Sequence, residues 1–100
     1  GFLPPKEVAR KKRLSQLSGY PHTLVFYESP HRVHKTLADA LEVLGDREAC
    51  LAREITKKFE QFVRGPISRI IAELSDRNVR GEIVLVIGGA PRDRFETGND

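Results

Sequence analysis

Phe26-Tyr27-Glu28-Ser29-Pro30-His31-Arg32 ends an apolar run and begins a helical pattern, so the chain contains a strand that passes directly into a helix. Such a turn places backbone N–H groups and the positive end of a helix dipole at a sheet edge, where a phosphate, a carboxylate or a cofactor can dock. Ser29 suits the N-cap and Pro30 the first helical position. Capping accounts for those two residues. It does not account for Tyr27, Glu28, His31 and Arg32 standing together at one junction.

Outward from this stretch the chain alternates between strand and helix. His22 to Glu28 reads as a strand, and its continuous apolar centre, Leu24-Val25-Phe26-Tyr27, predicts cover on both faces and a central place in the sheet. From Pro30 to Leu44 the residues Val33, Leu37, Ala40, Leu41 and Leu44 keep helical spacing, and Gly45-Asp46 supplies the stop. Glu48 to Glu54 is a second buried strand. Ile55 to Glu60 is a charged loop, and Gln61 to Arg64 a short strand that can pair antiparallel with the one before it. Gly65-Pro66 opens a helix with Ile67, Ile70, Ile71 and Leu74 on one side, ending near Asn78, and Arg80-Gly81 turns into a last strand, Glu82 to Ile87. Ahead of all these, a helix from about Lys6 to Leu17 has a thin apolar side (Val8, Leu14, Leu17), which predicts a surface position; Ser18-Gly19 ends it. The order predicts an α/β domain with a mixed β-sheet flanked by helices over residues 6–90, a linker over 1–5 and a disordered tail over 91–100.

The chain has 100 residues and a net charge of +3, which suits one domain with its own core but falls short of most complete enzymes. It contains no methionine and opens on Gly1-Phe2-Leu3-Pro4-Pro5, so it reads as a domain taken from a longer protein. Cys50 lies in the apolar run Ala49-Cys50-Leu51-Ala52 and reads as a small buried thiol, which fits a cytoplasmic origin. No apolar run approaches the roughly 20 residues that span a bilayer. The positive charge is concentrated in Lys6, Arg10, Lys11, Lys12 and Arg13. A basic run of this kind is most often a solvated helix face, and it is also what contact with nucleic-acid phosphate requires.

Polar groups follow three apolar runs: Tyr27-Glu28 with Ser29 and His31, Arg53-Glu54 with Thr56 and Lys57, and Gly88-Gly89. Ligands favour the carboxyl ends of strands in open α/β sheets, so parallel strands would gather all three on one rim. A structural ion pair is the plainer reading of Arg53 and Glu54, and a simple turn that of Gly88-Gly89. His22, His31 and His34 lack the spacing of a metal site. Ser29 has no flanking glycines, which excludes a serine-hydrolase elbow, and there is no P-loop or dinucleotide fingerprint.

Three segments, Tyr27-Glu28-Ser29-Pro30-His31-Arg32, then Ala52-Arg53-Glu54-Ile55-Thr56-Lys57 with Glu60 and Arg64-Gly65, then Gly81 to Val86, resemble in order and spacing the C-terminal domain of the bacterial 16S ribosomal RNA cytidine 2'-O-methyltransferases, and the opening Gly1-Phe2-Leu3-Pro4 resembles the linker between that family's two domains. The similarity covers nearly residues 1–90. The family belongs to the tetrapyrrole (corrin/porphyrin) methylase superfamily, whose members fold S-adenosylmethionine into a cleft between two α/β domains and form homodimers. The resemblance implies that Phe26, Tyr27 and Ser29, Ala52 and Arg53, and Ile87, Gly88 and Gly89 form one wall of that cleft. The N-terminal domain would supply the other wall, so this chain alone would be inactive. The family often carries an acidic residue where Gly88 stands, which removes any side-chain role there.

Methyl transfer to a ribose 2'-hydroxyl needs orientation and a proton acceptor. Glu28, His31 and Glu54 are the candidates, Glu28 first, because the end of a buried strand would desolvate it. Replacing Glu28 by Gln is then expected to cut turnover and spare RNA affinity. Lys11, Lys12, Arg13, Arg32, Lys57 and Arg64 are the candidates for holding phosphates of 16S rRNA in the small ribosomal subunit. Two other readings share these features: a tetrapyrrole C-methyltransferase domain, and a non-catalytic RNA-binding or dimerisation module. The last calls for exposed aromatics, for which Phe59 and Phe62 are the available pair, unless they pack the hairpin.

Overall fold

The computed structural model describes residues 1–56, 59–75 and 81–90, with the side chains of 54–56, 59 and 60 outside that description. Lys57, Asn78 and the tail therefore lie outside the described residues. Seven elements follow in the expected order: α1 (Glu7–Leu17), β1 (Leu24–Glu28), α2 (Val33–Leu44), β2 (Glu48–Thr56), β3 (Phe59–Pro66), α3 (Ile67–Leu74) and β4 (Glu82–Ile87). The α/β layering with helices against a sheet is as the periodicities predict, and β2 and β3 form the expected antiparallel pair.

The sheet order is β1-β4-β2-β3, with every neighbouring pair antiparallel. Among the described residues the one parallel contact is an isolated bridge from Phe2 to Tyr27. β1 is thus an edge strand and not the central one. Its burial alternates, with Leu24, Phe26 and Glu28 inside and Val25 and Tyr27 about half exposed, so its continuous apolar run serves two faces of different kinds. The residues read as a linker lie beside it: Gly1 accepts from the Tyr27 N–H at 3.0 Å, its amino group donates to the Val25 carbonyl, and Leu3 is buried.

Register sorts the side chains into rows. On the inner face Phe26, Leu85, Leu51 and Val63 lie side by side across all four strands, all buried. Leu24, Ile87 and Ala49 form the next row. Against them pack Leu14 of α1, Val33, Leu37 and Ala40 of α2, and Ile67, Ile70 and Leu74 of α3. Each such buried side chain contributes roughly 1.5–3 kcal/mol by leaving water. On the outer face two rows, Tyr27-Val84-Ala52-Phe62 and Val25-Val86-Cys50-Arg64, contain only half-buried or exposed residues. Phe62 stands exposed on this outer face and does not pack the hairpin. Cys50 is only half-buried there.

Two arginines and two aspartates fasten the helices. Arg10, counted with the basic run, is instead 2% exposed; its Nε donates to Asp39 Oδ2 at 2.6 Å and its Nη1 to the Pro5 carbonyl at 2.8 Å, tying α1 to α2. Arg47 donates to the carbonyls of Leu44, Ser18 and Gly88, so one guanidinium satisfies the ends of α2 and α1, where unpaired carbonyls concentrate negative charge. α3 has no cap from its own chain start at Pro66. Asp46 serves instead, accepting from the Ser68 N–H at 2.8 Å and from its hydroxyl. These two bonds hold the Asp46 carboxyl below the ordinary aspartate range.

Two outcomes follow. Removing one member of a buried pair strands the other charge, so Asp39→Ala is expected to cost about 3–5 kcal/mol in urea unfolding, and Arg10→Met combined with Asp39→Leu considerably less. Because the folded state lowers the Asp46 pKa, its contribution is complete above the unfolded pKa and fades as pH falls through the folded one. The stability difference between wild type and Asp46→Ala should therefore shrink as urea midpoints are followed from about pH 6 to about pH 3.

Candidate functional site at the ends of β1 and β2

Because β4 lies between β1 and β2 and runs against both, β1 and β2 are parallel to each other and end on the same rim. Ile83 pairs with Glu28 on one side and Arg53 on the other, and Arg53 pairs in turn with Gln61. This is the inner row closest to the rim, and it is polar where the deeper rows are apolar. Tyr27-Glu28 and Arg53-Glu54 therefore meet as expected.

Gly88-Gly89 does not join them. β4 is antiparallel, so its end lies at the opposite rim, about 20 Å away over six residues of strand. There the Gly88 N–H donates to the Glu48 carbonyl at 2.8 Å and the Ala90 N–H to the Tyr20 carbonyl at 2.7 Å. A Cβ on Gly89 would collide with the Pro21 and His22 backbone. These glycines and Ile87 seat the segment after β4 against the loop before β1. Phe26 also leaves the proposed wall, because its side chain is buried on the inner face.

Glu28, the first candidate for the proton acceptor, is 7% exposed and its carboxylate is already engaged. Oε1 accepts from the Ser29 N–H at 2.7 Å and lies 3.5 Å from Arg32 Nε; Oε2 accepts from the Thr36 hydroxyl at 2.5 Å. Thr36 is fully buried on α2. No sequence reading singled it out, although it lies on the same helical face as Val33, Leu37 and Ala40. α2 begins at Val33 with Arg32 at the N-cap position and no side-chain cap. Ser29 therefore does not cap α2. Its hydroxyl accepts from the His31 N–H at 3.2 Å and its carbonyl from the Arg32 N–H at 3.0 Å, closing a separate turn that leaves His31 exposed.

Beside this turn lies a cavity of about 450 Å³, bordered by Phe2, Tyr27, Glu28, Pro30, Gly81, Glu82, Ile83 and Val84. The Phe2 and Tyr27 rings pack 5.5 Å apart, tilted by 42°. Glu82, at the start of β4, and Phe2 were not among the candidate site residues, since their proximity to Tyr27 is created by the β1–β4 register and by the bridge to the chain start. Arg53 is held by Gln61 at 2.6 Å, and Ala52 lies on the outer face.

The basic candidates also divide. Lys11 Nζ is 3.1 Å from Glu42 and 3.9 Å from Glu7, and the hydrogen bond to Glu42 raises its pKa. Lys12 and Arg13 are exposed, Arg13 touching Gln16 at 3.4 Å. Arg64 stands over the Phe62 ring, 5.3 Å from its centroid.

Residues 1–71 match the profile of the tetrapyrrole (corrin/porphyrin) methylases. The chain belongs to the tetrapyrrole methylase family. Its relatives include proteins named ribosomal RNA small subunit methyltransferase I: that of Bacillus subtilis is 42% identical over 96% of this chain, that of Micromonospora olivasterospora 48% over 91% and that of Vibrio cholerae 45% over 89%. The chain spans 33%, 29% and 32% of these relatives, respectively, so it is about a third of proteins of their kind.

In this methylase domain the rim at the ends of β1 and β2 carries the aromatic pair, the carboxylates and Arg32, and the far rim carries a backbone joint. Gly89→Ala is accordingly expected to lower stability by roughly 1–3 kcal/mol, as strain at a close backbone approach does, with the loss visible in thermal unfolding when no methyl donor is present. Stability unchanged by this variant would return Gly89 to a ligand-contacting role.

Proposed function

We propose that this domain is one part of an S-adenosylmethionine-dependent methyltransferase that modifies a cytidine ribose 2'-hydroxyl in 16S rRNA of the small ribosomal subunit. One observation carries the reading: relatives 42–48% identical over nine-tenths of the chain bear the name of a small-subunit rRNA methyltransferase. The fit of the donor is supported by the rim cavity, whose aromatic and aliphatic lining suits a planar base and whose Glu82 carboxylate can accept from hydroxyl or amino groups. Tyr27, with Phe2 against it, would hold that base, and Ala52 and the backbone of Ser29 would complete the wall. When bound, the sulfonium supplies the methyl group.

The remaining work would fall to this domain and to an N-terminal domain of the same protein, which would close the cleft. Without it this fragment does not turn over. With the Glu28 carboxylate engaged in the turn, the hydroxyl proton goes to His31, which is exposed just beyond β1; Glu54 on β2, beyond the intervening β4, is the other candidate. Lys11, Lys12, Arg13, Lys57 and Arg64 would hold phosphates of the RNA backbone. The two exposed apolar rows on the outer sheet face favour contact with further protein, in keeping with a homodimer. Among the described residues no helix is long and apolar enough to cross a membrane, and the ribosomal substrate places the enzyme in the cytoplasm.

The test restores the remainder of the protein and follows labelled methyl groups from S-adenosylmethionine into small ribosomal subunits, with a porphyrinogen as competitor. Label in RNA ribose is expected. Label in the macrocycle would favour the tetrapyrrole C-methyltransferase, and label in neither would favour a non-catalytic module. In the same assay mixture, Lys12→Ala with Arg13→Ala should weaken RNA binding and reduce the slope of log affinity against log salt by about two, one per lost phosphate contact.

A further inference from the structure

Glu28 occupies a position whose alternation with Leu24 and Phe26 calls for an apolar side chain, and a carboxylate taken there from water is costly unless it is fully paired. Three residues converge on it: the Ser29 N–H and the Thr36 hydroxyl donate to it, and the Arg32 guanidinium forms an ion pair with it at 3.5 Å. For stability alone an apolar pair would serve as well, since buried ion pairs are commonly neutral or worse than hydrophobic replacements. The cluster does something that an apolar pair could not. It fixes the guanidinium of Arg32, whose side chain remains 43% exposed, at the end of the tight turn that Ser29 closes. Nε faces Glu28, and the guanidinium has no other partner among the described residues. Its two terminal nitrogens are thus left for an acceptor outside the domain. A planar fork held at one edge offers the other edge to two oxygens of one anion.

We infer that Glu28 and Thr36 are positioning residues that aim Arg32 at a backbone phosphate of the RNA, and that Glu28 does not take the substrate proton. This rests on the RNA-methylating reading above and assigns the turn a role in holding substrate. A general base must present a lone pair to the substrate hydroxyl. Glu28 borders the cavity but is only 7% exposed, and both its oxygens already accept, from the Ser29 N–H and the Thr36 hydroxyl. Orientation by a buried carboxylate also reduces the freedom that Arg32 loses when it binds, which is where preorganisation gains affinity.

The experiment measures binding of the full-length protein to small ribosomal subunits across a salt series, together with methyl transfer at saturating subunits. Arg32→Ala should weaken binding and lower the salt slope by about one. Arg32→Lys should fail to restore affinity, because an ammonium lacks the fork. Glu28→Gln should weaken binding several-fold in wild type and change nothing further in the Arg32→Ala background, the coupling expected of residues that act through one another. Thr36→Val should behave as Glu28→Gln does, and Thr36→Ser, which keeps the hydroxyl, should recover most of the loss even if Glu28→Gln proves poorly folded. Two results would overturn the inference: effects of Glu28→Gln and Arg32→Ala on affinity that simply add, or Glu28→Gln binding normally while methyl transfer stops. A wild-type enzyme that leaves RNA unmethylated would overturn the functional reading instead, and the inference with it.

Discussion

The insertion of β4 between β1 and β2 governs the rest of the molecule. An antiparallel strand in that place makes its two neighbours parallel, so the end of the strand that leads into α2 and the end of the hairpin strand β2 reach the same rim. The register through Ile83 then brings Glu28 within one strand of Arg53. The same insertion sends Gly88 and Gly89 to the far side, where Gly88 bonds to Glu48 and Gly89 lies against Pro21 and His22. One pairing choice therefore separates a rim of charged and aromatic side chains from a rim of backbone contacts and helix ends held by Arg47.

The order and type of the elements were legible in the residues. Helical spacing in Val33 to Leu44 and Ile67 to Leu74, the Ser18-Gly19 stop after the first helix, and the runs in the strands gave the seven elements of the described residues, because each buries one stripe or one face against a shared core. The place of β1 was not legible. Leu24-Val25-Phe26-Tyr27 reads the same whether a second layer of the same domain covers the outer face or whether that face is left for another protein surface, and here Val25 and Tyr27 are half exposed. Strand direction was equally hidden, since no local pattern in Glu82 to Ile87 states whether it runs with or against β1.

The site was half legible for a related reason. The junction at Tyr27 to Arg32 announced itself by the density of its chemistry, yet the role of each residue depends on contacts that are distant in sequence. Thr36 is an ordinary helix residue until α2 folds it onto Glu28. Arg10 is one of five cations in a run until Asp39 meets it from the next helix. In both cases burial turned a polar side chain from a surface feature into an internal fastening. Phe2 joined the cavity because the chain start lies along the open edge of β1, an arrangement that Pro4-Pro5 gives no hint of.

The turn thus consists of an inner part that is held, Glu28 with Thr36 and the Ser29 N–H, and an outer part that is presented, His31 and Arg32. The division is tested most directly by the pH dependence of a single round of methyl transfer in the full-length Glu28→Gln enzyme, with small ribosomal subunits and S-adenosylmethionine both saturating. The account predicts a pH profile of the same shape as wild type, because the titrating acceptor lies elsewhere. A profile that loses its pH dependence, with transfer reduced to a residual rate at every pH, would make Glu28 the base and contradict it.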